Sequence, residues 1–339
     1  MKKVIKTLGL VAMTALIATS CNKKEEVAEF NVSFGETYGL EAGPSLNGQK
    51  AYIYAYNGYT FKWNEGDKLL VYNLAEDYTN SVHEEYIADP GSEGKHSTRF
   101  TGPSVGVRKD IGFFVFYNPS KAHGDLRQGN RETFEVPATQ NYDSRYLIDP
   151  TSLVMASTLG GNATHEITNL TLNHVFGFLN VAVGNLSGEG ERHVSSIVVT
   201  DTRHLTGELD LYLPEVSASE FSGLFDRLEQ YGPTDPTYIA SLNQYLGQVG
   251  YHAHGDLGKT ITLNCGNKEL PYGYWDFFFI TLRPGALYNG FSVTVNFSDA
   301  GVAPITVNFE GAAAMNYLIK PAWFKNLYIV TEGEPLQYN

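Results

Sequence analysis

The sequence predicts an all-β protein built as two domains in tandem. Three observations predict it. The chain carries 22 Tyr, 19 Phe and 3 Trp. These fall with Val, Ile and Thr into short runs, the residue types that suit a pleated, half-buried surface. The runs alternate apolar and polar and are punctuated by Gly, Asn, Asp and Pro, as in sandwiches and barrels rather than parallel sheets. Last, 339 residues exceed the size at which one hydrophobic core usually keeps growing.

In chain order, alternation predicts strands over 29–34, 51–56 and 59–63. Glu65, Gly66 and Asp67 make a tight turn: glycine takes positive φ, and the aspartate closes the turn with its own side chain. A short strand follows at 68–72. Further strands are expected at 97–101, 111–117, 132–136, 168–183, 194–200, 207–213, 259–265, 274–282, 289–297, 304–309 and 324–331. One region breaks the pattern. Ser217 with Glu220 forms a capping box, and Phe221, Leu224, Phe225 and Leu228 recur at helical spacing. Asp235 and Pro236 then open a second helix striped by Ile239, Leu242, Leu246 and Val249. A helical hairpin at 217–249 is therefore expected as an insertion in the second domain. Glycine-rich stretches at 159–164 and 184–190 are both plausible linkers. The first is chosen, which gives an N-terminal domain at 28–163 and a C-terminal domain at 164–339.

The N-terminus reads as an export leader, residues 1–20. Lys2, Lys3 and Lys6 precede an apolar stretch at 8–17, too short to span a bilayer. Ala18, Thr19 and Ser20 run into Cys21. This resembles the bacterial lipobox, where the cysteine is acylated, palmitate being a typical chain, and the polypeptide is cut before it. More than one acyl chain is needed for stable anchoring. Residues 21–27 then form a lipidated tether. Lys24, Glu25 and Glu26 resemble a signal that carries lipoproteins to the outer face of the outer membrane.

Charge and cysteine content exclude several functions. Three of the 24 basic residues and none of the 37 acidic residues lie in the leader, so the remainder carries a net charge of −16. Such a polyanion is no nucleic-acid partner, because phosphate binding needs clustered Lys and Arg. With Cys21 assigned to lipid, Cys265 is left unpaired in an alternating strand, and neither a disulfide framework nor a cysteine metal site can form. No hydrolase or phosphate-loop motif occurs. His252 and His254, with Asp256 nearby, form the only dense histidine group, and a polar loop is the simpler reading of it. Glu84, Glu85, Glu189, Glu191 and Asp299 are expected in polar loops without a catalytic spacing. Asp67 reads as a turn former. No cofactor is implied, and the chain is expected not to be an enzyme. Two aromatic groups could stack on sugars: Tyr52, Tyr54 and Tyr56 on one strand face, and Tyr272, Tyr274 and Trp275 near a turn.

The strand and turn at 61–72, with Trp63, Gly66 and Asp67, resemble the fimbrillin family, the subunits of type V pili. Further stretches agree in order: Phe100-Thr101-Gly102, the aromatic run 113–119 ending in Tyr117-Asn118-Pro119, the Pro137-to-Gln140 element, and the His174-containing run 172–181. The resemblance covers roughly 28–331. It implies two transthyretin-like β-sandwiches in tandem and assembly with other pilus subunits by β-strand donation. Proteolysis would free the first strand, and a neighbour's C-terminal segment would take its place. Lys50 is the only basic residue between Lys24 and Lys62, so a cut between Lys50 and Ala51 is the candidate processing site; the family usually cuts after arginine. The donor would be 324–331 or the tail to Asn339. If Lys50 is not cut, the subunit keeps its lipid, as a pilus anchor would. The expected protein is thus a surface-exposed outer-membrane lipoprotein of a fimbrium, a structural, anchor or tip subunit acting in adhesion to a surface receptor or glycan. The alternatives are a surface glycan-binding lipoprotein of a polysaccharide uptake system and, last, an outer-membrane hydrolase.

Overall fold

The computed structural model describes residues 27–34, 62–73, 82–103, 113–117, 131–144, 148–158, 169–186, 188, 190–212, 252–254, 257–319 and 324–331. The all-β class holds. The first strands in chain order are β1 (Val27–Phe34), β2 (Lys68–Asn73), β3 (Val82–Ala88), β4 (Ser97–Pro103), β5 (Phe113–Tyr117), β6 (Arg131–Val136), β7 (Thr139–Asn141), β8 (Met155–Thr158) and β9 (Asn169–His174). There follow β10 (Gly177–Gly184), β11 (Arg192–Asp201), β12 (Gly207–Tyr212), β13 (His252–His254), β14 (Thr260–Leu270), β15 (Trp275–Leu282), β16 (Phe291–Phe297), β17 (Ile305–Phe309) and β18 (Phe324–Val330). A single helical turn, α1 (Gly311–Met315), and a 3-10 turn at Pro150–Ser152 complete the described elements. The helical hairpin expected at 217–249 and the strand at 51–56 lie outside the described residues.

Seven strands hydrogen-bond into a closed ring in the order β1-β4-β3-β2-β5-β8-β9, where β9 returns to β1 in parallel. The remaining strands form a three-stranded sheet β15-β10-β18, a five-stranded sheet β17-β16-β11-β14-β7, and a smaller sheet β13-β12-β6. Sheet membership does not follow chain order. Strands β6 and β7 leave the first half of the sequence to pair with β12 and β14, while β9 joins the ring.

The run at 168–183 is two strands, not one. The chain bends at Val175 and Phe176, where the Val175 amide donates to the Val154 carbonyl at 3.0 Å. This puts β9 in the ring and β10 in the three-stranded sheet. Every residue of β10 is buried. The physical reason is that this sheet has a core on each face. Leu179, Val181 and Val183 of β10, Phe278, Ile280 and Leu282 of β15, and Leu327 and Ile329 of β18 pack with the five-stranded sheet. Phe178 and Ala182, Phe277 and Phe279, and Phe324 and Tyr328 face the other way, towards Trp63, Leu69, Tyr86 and Phe100 of the first unit. Two cores exist, and one sheet serves both.

A polar staple fixes the edge of that sheet. Gln140, fully buried on β7, donates from Nε2 to the Thr281 carbonyl and accepts the Thr281 amide on Oε1, both at 2.9 Å. Its side chain thereby does for β15 what a neighbouring strand would do. The hydroxyls of Ser152 and Thr281 meet at 2.8 Å. Asp149 braces β7 by accepting the Asn141 amide at 2.7 Å and the Thr151 amide and hydroxyl. The Gln140→Ala variant leaves a buried N–H and a buried C=O without partners, and a void. It is expected to lose about 3 kcal/mol, read as a lowered urea midpoint; an unchanged midpoint would show that water replaces the amide.

Candidate functional site

The candidate site is the seat of β1. Its alternating sequence makes it a strand, but its position is unusual for a first strand, since it is bonded along both edges. It runs antiparallel to β4 from Val27↔Pro103 to Ser33↔Ser97, and parallel to β9 from Asn31↔Asn169 to Phe34↔Leu172. Phe30 and Val32 stand opposite Phe100 and Thr98, both buried, while Asn31 is exposed. Withdrawing such a strand would open two edges at once and uncover the core below. Any extended segment with matching alternation could then refill the gap through main-chain bonds.

The aromatic turn beside this seat is built as expected. Gly66 has φ +81°. The Asn64 amide donates to Asp67 Oδ2 at 2.8 Å, and the Asp67 amide donates to the Asn64 carbonyl at 3.2 Å. Asp67 is thus a turn former. The turn delivers Trp63 into the core, fully buried and edge-on to Phe100 with ring centroids 4.9 Å apart.

At the other end of the chain, the expected donor segment is seated in its own fold. β18 pairs in parallel with β10 from Phe178↔Phe324 to Gly184↔Val330, and Phe324 stacks on Phe178 at 4.7 Å. The tail 332–339 lies outside the described residues. So do Cys21, Lys24, Glu25 and Glu26 of the tether, Lys50 and Ala51 of the processing site, and Tyr52, Tyr54 and Tyr56.

The remaining sequence candidates are scattered. His252 and His254 lie on β13, in register with Asp210 and Glu208 of β12; Asp256 and Glu189 are outside the described residues. Among the described residues no group of three or more His, Cys, Asp or Glu could hold a metal. Glu84 and Glu85 are neighbours on β3, so they face opposite ways, and Glu85 pairs with Lys68 at 2.9 Å. Asp299 accepts both the amide and Nδ1 of His193, at 2.7 and 2.8 Å, which raises the His193 pKa; Glu191 is exposed nearby. Cys265 is buried, and burial pushes its thiol up to about 12, so it is inert rather than nucleophilic.

Among the described residues Tyr272 and Tyr274 are the most exposed aromatics, 50% and 60% accessible, on either side of Gly273 at φ +81°. Trp275 is half-buried instead. It sits edge-on to Tyr328 and lies against Gly184, where an added Cβ would come within 2.9 Å of the indole. The turn is tied to the 185–190 loop by Asn185, whose backbone exchanges hydrogen bonds with Gly273 and Tyr274.

No protein-family model matches the chain, and no curated protein does. Solved structures similar to it include candidate cell adhesion, fimbrial and fimbrial assembly proteins of Bacteroides and Parabacteroides. A candidate cell adhesion protein from Bacteroides uniformis has 10% identity and a TM-score of 0.49, over 91% of this chain and 94% of that one. A second, from Bacteroides ovatus, has 9% identity and a TM-score of 0.45, over 90% and 92%. A fimbrial assembly protein from Parabacteroides distasonis has 9% identity and a TM-score of 0.38, over 89% and 90%.

His174, at the end of β9, gives this region a pH dependence. It is fully buried, edge-on to Phe178 at 5.3 Å, and burial pushes its pKa down to about 3. In the unfolded chain it titrates near the ordinary value of 6.5. Between these values the unfolded chain binds the extra proton. Stability therefore falls as pH drops from about 6.5 towards 3, at about 1.4 kcal/mol per pH unit. The urea midpoint is expected to fall between pH 7 and pH 5, and to fall less in His174→Leu. Equal falls in both proteins would refute the assignment.

Proposed function

We propose that the chain is a lipid-anchored, fimbrillin-like subunit of a type V pilus, displayed on the outer membrane and acting in adhesion. The observation that carries this reading is the doubly bonded seat of β1. A strand held between β4 and β9 is an exchangeable element in a way that an edge strand is not. The leader, Cys21 and the acidic tether with Lys24, Glu25 and Glu26 support display at a membrane surface. The turn closed by Asp67 and the staple made by Gln140 give physical roles to two of the stretches that resemble the fimbrillins.

Two positions in a fibre suit this architecture. From Cys21 to Val27 the chain can span at most about 20 Å. An uncut subunit would thus hang its load from β1, pulled along its length against bonds on both edges, as an anchor needs. A subunit cut between Lys50 and Ala51 would instead lose β1 and accept a donor strand, the tail 332–339 of a neighbour being the candidate, as a stalk needs. No catalytic step is proposed.

Mass spectrometry of the N-terminus of the surface-assembled protein tests the reading. An acylated Cys21, lost in Cys21→Ala, is the expected result for an anchor, and a start at Ala51 for a stalk subunit. An unacylated chain that keeps its leader would sink the proposal. So would surface filaments unchanged in number and attachment when the protein is absent.

The exposed Tyr272 and Tyr274 favour one second reading, a surface glycan-binding lipoprotein of a polysaccharide uptake system. Their rings make neither ring contacts nor hydrogen bonds within the described structure and are free to stack on sugar faces. On this reading the protein co-sediments with insoluble polysaccharide, and a Tyr272→Ala/Tyr274→Ala double variant stays in the supernatant. Failure of the wild type to sediment would leave the pilus reading alone.

A further inference from the structure

We propose that the loops joining β11 to β12 and β15 to β16 form a binding site for the carboxylate of an acidic sugar, with Arg203 and Arg283 as its cationic groups. The site lies apart from the seat of β1 and does not depend on the pilus reading.

The two loops are sewn together by one buried carboxylate. Asp201, at the end of β11, accepts the Leu287 amide on Oδ2 at 2.8 Å, and the Arg203 amide at 2.8 Å and the Thr202 hydroxyl at 3.3 Å on Oδ1. Its demands are met by these groups rather than by a guanidinium. Leu287 is fully buried and has φ +71°, a conformation that costs a bulky L-residue energy and persists only where the surroundings impose it. The bond from its amide to Asp201 is part of that imposition. The strained residue sets the position of the next one. Tyr288 is buried, with the Arg203 guanidinium 4.4 Å above its ring centroid. Its buried hydroxyl proton has no acceptor among the described residues.

Arg203 is held flat on that ring and donates towards its hydroxyl but makes no ion pair, so most of its five donors remain uncommitted. Arg283 reaches in from the other loop. It donates from Nε to the His204 carbonyl and from Nη1 to the Pro284 carbonyl at 3.3 Å, which leaves Nη2 uncommitted. Burial lowers its pKa, with Asp201 opposing and Arg203 adding to the effect, so the three charges share one neighbourhood. Two guanidiniums against one carboxylate leave a local positive charge in a chain of net charge −13. Planar donors with spare edges suit a carboxylate. A carboxylate oxygen entering between them would also give the Tyr288 hydroxyl an acceptor.

The rim decides between a sugar and a peptide. Across 202–206 and 283–290 the exposed residues are Thr202, His204 and Asn289, all uncharged or weakly basic hydrogen-bonding groups. They match sugar hydroxyls. No exposed apolar side chain in either loop could hold a peptide residue.

Isothermal titration of the full-length protein in detergent tests this, with sodium D-glucuronate as probe and D-glucose, succinate and a tetraglutamate peptide as comparators. Glucuronate is expected to bind, glucose is not, and binding is expected to weaken with added salt. Arg203→Gln is expected to weaken it at least about tenfold, with Arg203→Lys between the two. Arg203 is half-buried in a loop, and circular dichroism of the variant matching the wild type is the control that the fold is kept. The proposal is overturned by absence of glucuronate binding, or by binding equal in Arg203→Gln. Succinate or tetraglutamate binding as tightly as glucuronate overturns the assignment to a sugar.

Discussion

The sheet β15-β10-β18 is the constraint on which the rest of the structure depends. It is buried on both faces, so its strands must be apolar at successive positions rather than alternate ones. β10 meets this with eight buried residues in a row. Each face carries a different core, and neither core is complete without it. A substitution that adds volume or charge on one face therefore has no solvent side to escape to. The same burial ties polar groups within the sheet to one another, although Asn180 Oδ1 and Trp275 Nε1 are left without a partner. Asn180 donates to Asn326 at 2.9 Å across β10 and β18, and Thr281 is held by Gln140 and Ser152. A buried backbone group at a sheet edge cannot turn to water, so a side chain from another sheet takes the place of a strand.

The seat of β1 follows from a different constraint, the closure of the ring. A closed sheet has no edge, and its first strand is bonded on both sides. This couples the start of β1 to the whole ring. Whatever pulls on the chain before Val27 pulls on two ladders at once. It also makes β1 the element whose removal changes the sheet most, from closed to open. The Arg203 and Arg283 loops follow β11 and β15, outside the ring. There a strained Leu287 and a buried Asp201 are arranged around two cations.

Much of this was legible in the sequence, and the reasons differ from element to element. β11, β14, β16 and β17 alternate, because one of their faces meets the core and the other meets water. Their positions follow from that pattern within a few residues. The turn at Gly66 and Asp67 was legible because its chemistry is local: positive φ and a side-chain acceptor within three residues. Strands β3, β7, β8 and β13 were not foreseen. β3 carries Glu84 and Glu85, and the others are three or four residues long. Such segments become strands because a partner offers its edge: β2 and β4 for β3, β5 and β9 for β8, β14 for β7 and β12 for β13. The run at 168–183 read as one strand because both halves are apolar. The bend at Val175 and Phe176 is imposed by the two sheets that claim the halves.

For the candidate sites the division is sharper. The leader, Cys21, the acidic tether and Lys50 are covalent or linear features, and the sequence by itself determined them as expectations. It also determined the all-β class, since alternation and turn chemistry act over a few residues. Only the tertiary structure decided that β1 is bonded on both edges, that Gln140 completes a strand 141 residues away, and that Arg203 and Arg283 converge on Tyr288. Those facts depend on contacts between residues far apart in the chain. No local pattern encodes them, because it is the packing of the two cores onto one shared sheet that brings the residues together.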